Sequence, residues 1–573
     1  MVAAEERLRS WDGSELFYRA WLPRPGLTNA LLLFHRGHEH GGRWEETVET
    51  LGLNEVAVFA WDARGHGRSS GERGAAGSLT DLIKDVDTFV RQISARHGIP
   101  LENMILLAHS LAAVTVSAWV HDYAPPIRAL ILATAAFRVK LYLPLAIPCL
   151  RLQQKFFRTG RVQSYVRAKM LTHDPVEAVR YEADPLIFRQ IAINLLLELH
   201  DTARRLMADA GAILTPTMML GAGRDYVVSL KAQRQFFNRL SSPHKEMHVF
   251  PAAYHSLFHE RERVEVVARV REFVRAKFNQ PRATISLREA DRFGYTWKEF
   301  ERLKLRGAPH FLAARVALST AGRLSKGIDL GWRHGFDSGL SLDYVYENRP
   351  QGRNRLGKLI DANYLKAIGW RGIRQRKLNL KKALRKTIDC VAEEGRPVRL
   401  LDIAAGPGRY LLETMLELKA MPMTALLRDN LAENVEAARA LAAEFGLENV
   451  QVELGDAFDR ESLGAIAPRA TVAVVSGLYE LFPGNNAILE SLGGLAAALE
   501  PGGYLIYTNQ PWHPQVEFIA RVLHNREGKP WIMRRRTTAE MDELVQRAGF
   551  EKLEMDVDRW GMFTVSVARR SPV

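Results

Sequence analysis

Cysteine is nearly missing from this sequence: Cys149 and Cys390 are the only two in 573 residues. That scarcity excludes a disulfide framework and a cysteine-built zinc site, and it fits a reduced compartment. Long apolar runs are missing as well. No uncharged stretch reaches the roughly 18 residues of a spanning helix, and the nearest, Leu141 to Leu150, is broken by Pro144 and Pro148. The opening MVAAEERLRSWDGSE places Glu5 and Glu6 where a secretory signal would carry its apolar core. A cytoplasmic protein is therefore expected, with peripheral contact at the inner face of the membrane left open. There is no internal repeat and no low-complexity tract.

Acidic residues are outnumbered, giving a net charge of +14 and a pI near 9.7. Such an excess suits anionic partners, whether nucleic acid, an acidic lipid surface or a charged substrate, and it equally suits a plain solvated surface. The length exceeds what one hydrophobic core organises, so more than one domain is expected.

Two regions alternate strand-like and helix-like segments, the pattern of α/β domains. In the first, ALLLFH (30–35), VAVFAW (56–61), MILLA (104–108), ALILAT (129–134), TMMLGAG (217–223) and MHVF (247–250) read as strands. SLTDLIKDVDTFVRQI (78–93) sets Leu82, Val86, Phe89, Val90 and Ile93 on one helical face, with Ser78 or Thr80 as cap. Residues 137–210 break the rhythm and read as a cap inserted between two strands. In the second region VRLLDIA (398–404), MTALLRD (423–429), VQVELGD (450–456), TVAVVSG (471–477) and GYLIYTN (503–509) read as strands. The end reads as two strands joined by Arg559-Trp560-Gly561, a hairpin rather than another βα unit. The expected domains are 1–279, a basic and aromatic connector over 280–389, and 390–573.

The stretch ILLAHSLAAV (105–114) puts Ser110 between a strand and an Ala-rich helix. A serine hydroxyl attacks only when a histidine takes its proton and a carboxylate orients that histidine. Asp225 lies just past one later strand and His255 just past the next. The order Ser, Asp, His is that of α/β-hydrolases. The Leu111 amide, first in the helix, is available to an oxyanion. Four histidines, 35, 38, 40 and 66, lie close in sequence, but no carboxylate or cysteine is spaced among them as zinc requires, and no metal is expected.

Residues 1–279 resemble serine hydrolases of the monoacylglycerol lipase and lysophospholipase family, related to serine aminopeptidases. FHRGHEHGGRW (34–44) resembles the family's oxyanion loop, and WDARGHGRSSGERG (61–74) its Asp-x-Arg-Gly-His-Gly-x-Ser signature. The resemblance implies an α/β-hydrolase fold with a helical cap, a Ser110–Asp225–His255 triad, and oxyanion donors on Gly37 and Leu111. Arg36 and His38 stand where the family has glycine, and Ala108 and Ala112 replace the elbow glycines. The cap sequence FRVKLYLPLAIPCLRLQQKFFRTGRVQSYVRAKM mixes bulky apolar residues with spaced cations. That character suits a lipid-admitting lid or an anionic membrane surface, and also an ordinary packed cap.

LLDIAAGPGRYL (400–411) follows a strand and opens a helix, and Asp429 ends the next strand. Glycines there let backbone approach a ligand, and an acid at that distance can hold ribose hydroxyls. These residues alone fit a dinucleotide or another nucleoside cofactor. Residues 390–573 further resemble class I S-adenosylmethionine-dependent methyltransferases, a Rossmann-like fold. Asp402, Ala404, Gly406 and Gly408 match the first motif, with Ala404 for its first glycine. GDAF (455–458), with Asp456 and Ala457, matches the adenine-contacting segment, and VVSGLYELF (474–482) the acceptor-facing one. The resemblance implies S-adenosyl-L-methionine as cofactor, Asp429 on its ribose, and Tyr479 and Glu480 on the methyl-acceptor side. The connector, dense in Arg and Lys from Arg349 to Lys386 and holding Tyr344, Tyr346, Tyr364 and Trp370, is expected to pack over this cleft. Its cations would suit a phosphate-bearing substrate, and its aromatics a base or methylated amine.

The expectation is a bifunctional enzyme, ester hydrolase and methyltransferase, acting on lipid or phospholipid-like substrates. A rival reading is an RNA or small-molecule methyltransferase whose hydrolase fold only binds; no RNA-binding motif supports nucleic acid as partner.

Overall fold

The computed structural model describes residues 3–156, 160–282, 284–305 and 307–571. Residues 157–159 of the expected cap lie outside the described residues. The chain divides into two units, Met1–Thr284 and Ile285–Val573.

The first unit is built on strands β1 (Ala4–Arg9), β2 (Glu15–Trp21), β3 (Ala30–Phe34), β4 (Ala57–Trp61), β5 (Met104–His109), β6 (Ala129–Ala133), β7 (Arg161–Gln163), β8 (Gln190–Ala192), β9 (Thr217–Ala222) and β10 (Lys245–Phe250). Eight of them form one sheet in the order β1-β2-β4-β3-β5-β6-β9-β10, and β7 and β8 form a small separate ribbon. Every residue of β3, β4, β5 and β6 is buried. Uninterrupted apolar runs of this kind are what parallel strands covered on both faces require. The antiparallel pair β1–β2 has no counterpart in the sequence reading. Charges interrupt its alternation, and its one clear signal is the turn around Asp12-Gly13, where Gly13 takes φ +84°. The helix Leu79–His97 starts at Ser78, whose hydroxyl accepts the Asp81 amide. Between β6 and β9 the chain leaves the sheet through helices Ala146–Phe156, Ala168–Leu171, Pro175–Ala183 and Ile193–Asp209.

The second unit holds β11 (Val398–Ile403), β12 (Met423–Asp429), β13 (Val450–Leu454), β14 (Ala470–Val475), β15 (Leu499–Asn509), β16 (Phe550–Val557) and β17 (Thr564–Arg570). Their order is β13-β12-β11-β14-β15-β17-β16. β17 runs antiparallel to both neighbours, the terminal hairpin that the turn at Arg559-Trp560-Gly561 suggests. This is the Rossmann-like sheet with its reversed last strand.

The basic connector is no linker. Helices fill most of the described residues from 290 to 393, which belong to the second unit. Asp361, its lone acid between Arg349 and Lys386, is fully buried. It accepts from the Gly327 amide at 2.9 Å, the Gln351 amide at 2.8 Å and the Tyr344 hydroxyl at 2.6 Å, pinning three segments together. Five cations of the long helix Ile368–Glu393 are paired with acids of the same unit. Lys377 and Lys381 reach Glu413 at 2.6 and 2.8 Å, Lys382 reaches Asp556, and Arg385 and Lys386 reach Glu417 and Glu554. The density of lysine and arginine there matches acids across the packing face. Among the described residues no helix is long and apolar enough to cross a membrane.

Candidate functional site

In the first unit, β5 ends at His109 and the helix Leu111–Tyr123 begins two residues later. Ser110 fills the turn with φ +58° and ψ −111°, a strained conformation for a residue with a side chain. The strain throws its Oγ clear of the sheet. Ala108 and Ala112 flank it at 0% and 4% exposure, so their methyl groups fit the packed walls of the elbow.

The Ser110 hydroxyl donates to His255 Nε2 at 2.8 Å, and His255 Nδ1 donates to Asp225 Oδ2 at 2.8 Å. The other Asp225 oxygen accepts the amides of Val227 and Val228 at 2.7 and 2.8 Å, which fixes the carboxylate. His109 Nε2 donates to the His255 carbonyl at 3.1 Å and steadies that loop. All three expected residues are thus joined in one relay. Gly37 lies against Leu111: a Cβ placed on it would meet the Leu111 side chain at 3.6 Å. The two residues expected to supply the oxyanion donors are therefore neighbours.

The departures from family glycines also find places. His38 adopts φ +72°, a region glycine would reach without strain, and its Nδ1 donates to the Phe188 carbonyl at 2.9 Å. Arg36 pairs with Glu39 at 2.7 Å and lies 4.9 Å over the Tyr181 ring of the cap. Burial alone would raise the Glu39 carboxyl, but Arg36, His259 and Arg43 outweigh it and hold that group below the usual carboxylate range. Arg43 also reaches Glu177 at 3.3 Å, and His40 reaches Asp184 at 3.0 Å. The oxyanion loop is therefore fastened to the cap at four points. The sequence reading missed this fastening, because its partners lie more than a hundred residues away. The Asp62 signature is structural: its buried carboxylate accepts the amides of Gly41 at 2.6 Å and Arg68 at 2.8 Å.

One described group, His173, Glu260 and Glu262, brings ligand-type atoms within 4.8 Å. Glu260 already accepts the Tyr254 amide at 2.7 Å and the Thr172 hydroxyl at 3.2 Å.

In the second unit a cavity of about 320 Å³ opens at the tips of β11, β12 and β14. Ala404, Gly406, Gly408, Asp429, Asp456 and Ala457 line it. Ala404, Gly406 and Gly408 all have positive φ, at 54°, 57° and 67°, so the loop curls with its backbone toward the cavity. Asp429 accepts the amides of Gly406 and Leu431 at 2.9 and 3.0 Å and the Asn434 amide nitrogen at 2.9 Å. A carboxylate offers about four acceptor sites, so one remains for a ligand hydroxyl. Asp456 caps its own turn through the Phe458 amide at 2.9 Å.

Asp402 does not line the cavity. It sits behind the glycine loop, bonded to the Tyr410 hydroxyl at 2.9 Å, and its second oxygen is buried without a partner. Burial pushes its carboxyl up to about 8. Tyr410 itself lines the cavity, so Asp402 positions a wall residue. From the helical region Asp337, Gly339, Leu342, Asp343, Tyr346 and Arg376 form the facing wall. A Cβ on Gly406 would lie 3.5 Å from Gly339 Cα, so the connector does close over the glycine loop.

Tyr479 and Glu480 part company. Tyr479 is 3% exposed, packs in the core beneath the sheet, and shares a hydrogen bond with Ser491 at 3.0 Å. It lines neither the cavity nor the chamber beside it. Glu480 points into a second, smaller chamber. His513, also in that chamber, escaped the sequence reading although it stands four residues past the strand read at 503–509.

Two families match the chain: "Serine aminopeptidase, S33" over residues 27–262 and "Putative methyltransferase" over residues 270–570. The uncharacterized protein YnbC of Escherichia coli (strain K12) is 45% identical over 578 residues, covering 99% of each chain. The monoacylglycerol lipase of Mycolicibacterium smegmatis is 25% identical over 45% of this chain and 92% of its own. Human monoglyceride lipase is 28% identical over 44% of this chain and 82% of its own. The chain belongs to the family described as "Putative methyltransferase", and it carries ahead of that region an α/β-hydrolase unit of the serine aminopeptidase S33 type.

Proposed function

We propose that the chain is a two-site enzyme, a serine ester hydrolase joined to an S-adenosylmethionine-dependent methyltransferase, with lipid-derived substrates. The observation that carries the first activity is the pair of 2.8 Å bonds linking Ser110, His255 and Asp225 across a strained turn. His255 takes the Ser110 proton as Oγ attacks the ester carbonyl, and the same histidine returns it to the departing alcohol. The Gly37 and Leu111 amides stabilise the negative oxygen that develops. Water then repeats the sequence on the acyl-serine. The lipid reading draws on the names of the lipases above and on the cap. Tyr142, Leu143, Leu145, Leu152 and Phe156 are exposed beside Arg151 and Lys155. The helix Ala146–Phe156 buries no residue. A surface of this kind suits an acidic, apolar interface.

For the second activity, the large cavity fits S-adenosylmethionine: its backward-curled loop leaves room for a ligand, and Asp429 keeps an acceptor site. When bound, the cofactor supplies a methyl group on a cationic sulfonium. Asp429 would hold the ribose, Asp456 and Ala457 the adenine, and the loop Ala404 to Gly408 the amino-acid portion. The protein's contribution is to orient donor and acceptor and to exclude water.

Fluorophosphonate labelling is expected on wild type and lost in Ser110→Ala, with ester hydrolysis falling by about 10⁴-fold or more. Calorimetry is expected to detect S-adenosylhomocysteine binding that weakens at least about tenfold in Asp429→Ala, the loss of a charge-assisted bond. An unlabelled Ser110 would leave the first unit a binding module. Absent adenosyl binding would end the methyltransferase reading.

A further inference from the structure

Beside the large cavity lies a chamber of about 110 Å³ lined by Phe336, Tyr364, Trp370, Phe518, Trp531 and Phe563. Five residues, Asp337, Leu342, Arg376, Gly477 and Leu481, line both spaces, so the two adjoin. Resting on the methyltransferase reading, we propose that this chamber takes the methyl acceptor, and that the acceptor is an uncharged apolar molecule bearing a hydroxyl.

The apolar part follows from the rings. Aromatic walls reward burial of an apolar body and desolvate any charge. The one guanidinium lining it, Arg376, has its charge balanced by Glu480, and its Nε is buried without a hydrogen-bond partner. Arg376 lies 3.4 Å from Glu480, stacks 5.1 Å from the Phe563 ring, and presses on Gly477, where a Cβ would meet its Nη2 at 2.9 Å. Lys377 and Lys381, farther along the same helix, are held by Glu413. A phosphate or carboxylate would thus enter without a free counterion and beside the Glu480 carboxylate.

The hydroxyl follows from the remaining polar groups. His513 Nδ1 accepts the Gln515 amide at 3.1 Å, so the ring proton sits on Nε2. Burial lowers this imidazole to about 4, which keeps it neutral. Its Nε2 faces Gly369, where a Cβ would come within 3.0 Å. The indole N–H of Trp531 is buried with no partner. Of the two carboxylates in the lining, Asp337 already accepts the Arg526 amide at 2.7 Å. The two donors and the Glu480 carboxylate complement a hydroxyl, which accepts twice and donates once. In the transfer the acceptor oxygen forms the new C–O bond with its own electron pair. The C–S bond breaks with its pair returning to sulfur, and the hydroxyl proton passes to Glu480.

The test uses the full chain with S-adenosylhomocysteine present and 4-propylphenol, 1-decanol, decanoate and phosphoethanolamine as probes in calorimetry, followed by tritiated-methyl transfer. Binding and methyl-ether formation are expected with the phenol or the alkanol, and the two arms distinguish ring from chain. Trp531→Phe keeps the ring and is expected to weaken that binding about fivefold to tenfold. Glu480→Gln is expected to bind within about threefold of wild type and to lose about a hundredfold in transfer rate. Melting curves confirm that both variants fold. If S-adenosylhomocysteine binds but the acids bind in place of the hydroxyl probes, or no probe binds, the chamber assignment falls alone. If S-adenosylhomocysteine does not bind, the methyltransferase reading falls and this assignment falls with it.

Discussion

At the scale of single residues, Ala404 and Asp402 both sit in conformations or environments that work against them. Ala404 holds φ +54°, a left-handed geometry costing about 1–2 kcal/mol for a residue with a Cβ. Glycine would remove that strain while losing some of the gain to its greater freedom when unfolded. Ala404→Gly is therefore expected to stabilise the protein by about 0.5–1 kcal/mol in denaturant titration. Asp402 carries the opposite lesson. Its carboxyl shifts from an ordinary 3.8 to about 8 because burial disfavours its charge. The folded state thus holds a proton that the unfolded chain has released, so this contribution is full below the unfolded value and fades as pH rises through the folded one. Wild type should lose on the order of a few kcal/mol relative to Asp402→Asn between about pH 5 and 9. Paired chemical melts across that window check it. Ser110, Asp225 and His255 were legible because each follows a strand in a fixed order. His513 was not, since a lone histidine after Pro511-Trp512 signals nothing until the fold encloses it.

At the scale of elements, the oxyanion loop and the cap form one piece. Arg36, Glu39, Tyr181, Arg43 and Glu177 make a buried ionic and aromatic joint between them. Removing one partner of a buried pair leaves an uncompensated charge, which costs about 3–5 kcal/mol. Arg36→Ala is expected to destabilise the protein at the low end of that range, since Arg43 remains 3.5 Å from Glu39. It should also slow ester hydrolysis by loosening the Gly37 amide. The pair Arg36→Met with Glu39→Leu is expected to recover most of the stability. Urea melts and hydrolysis rates of the three variants measure both effects. The central strands were readable as apolar runs. β1 and β2 were not, because Arg7, Arg9, Glu15 and Arg19 blur their alternation. The basic helix looked like a ligand surface because its acidic partners, Glu413, Glu417, Glu554 and Asp556, are distant in sequence.

At the scale of the whole molecule, each unit has its own sheet and its own hydrophobic clusters. The serine aminopeptidase S33 family matches residues 27–262, wholly within the first unit. Residues 1–284 expressed alone are accordingly expected to fold and to keep fluorophosphonate labelling, and residues 285–573 to keep adenosyl binding. A first fragment that aggregates, or a second that binds nothing, would contradict this. The net charge of +14 suggested an anionic partner for the chain, yet much of the dense cationic helix is neutralised internally. Composition counts charges without revealing which of them meet.

The sheet order of the second unit has a consequence for biosynthesis. β17 follows β15 and β16 in the chain yet lies inside the sheet between them, not at its margin. A polypeptide released early, before Thr564, would leave β15 with an unpaired flank and β16 with no neighbour to hold it. Premature termination would therefore yield a product with an open strand edge, the kind of surface that invites pairing with another chain.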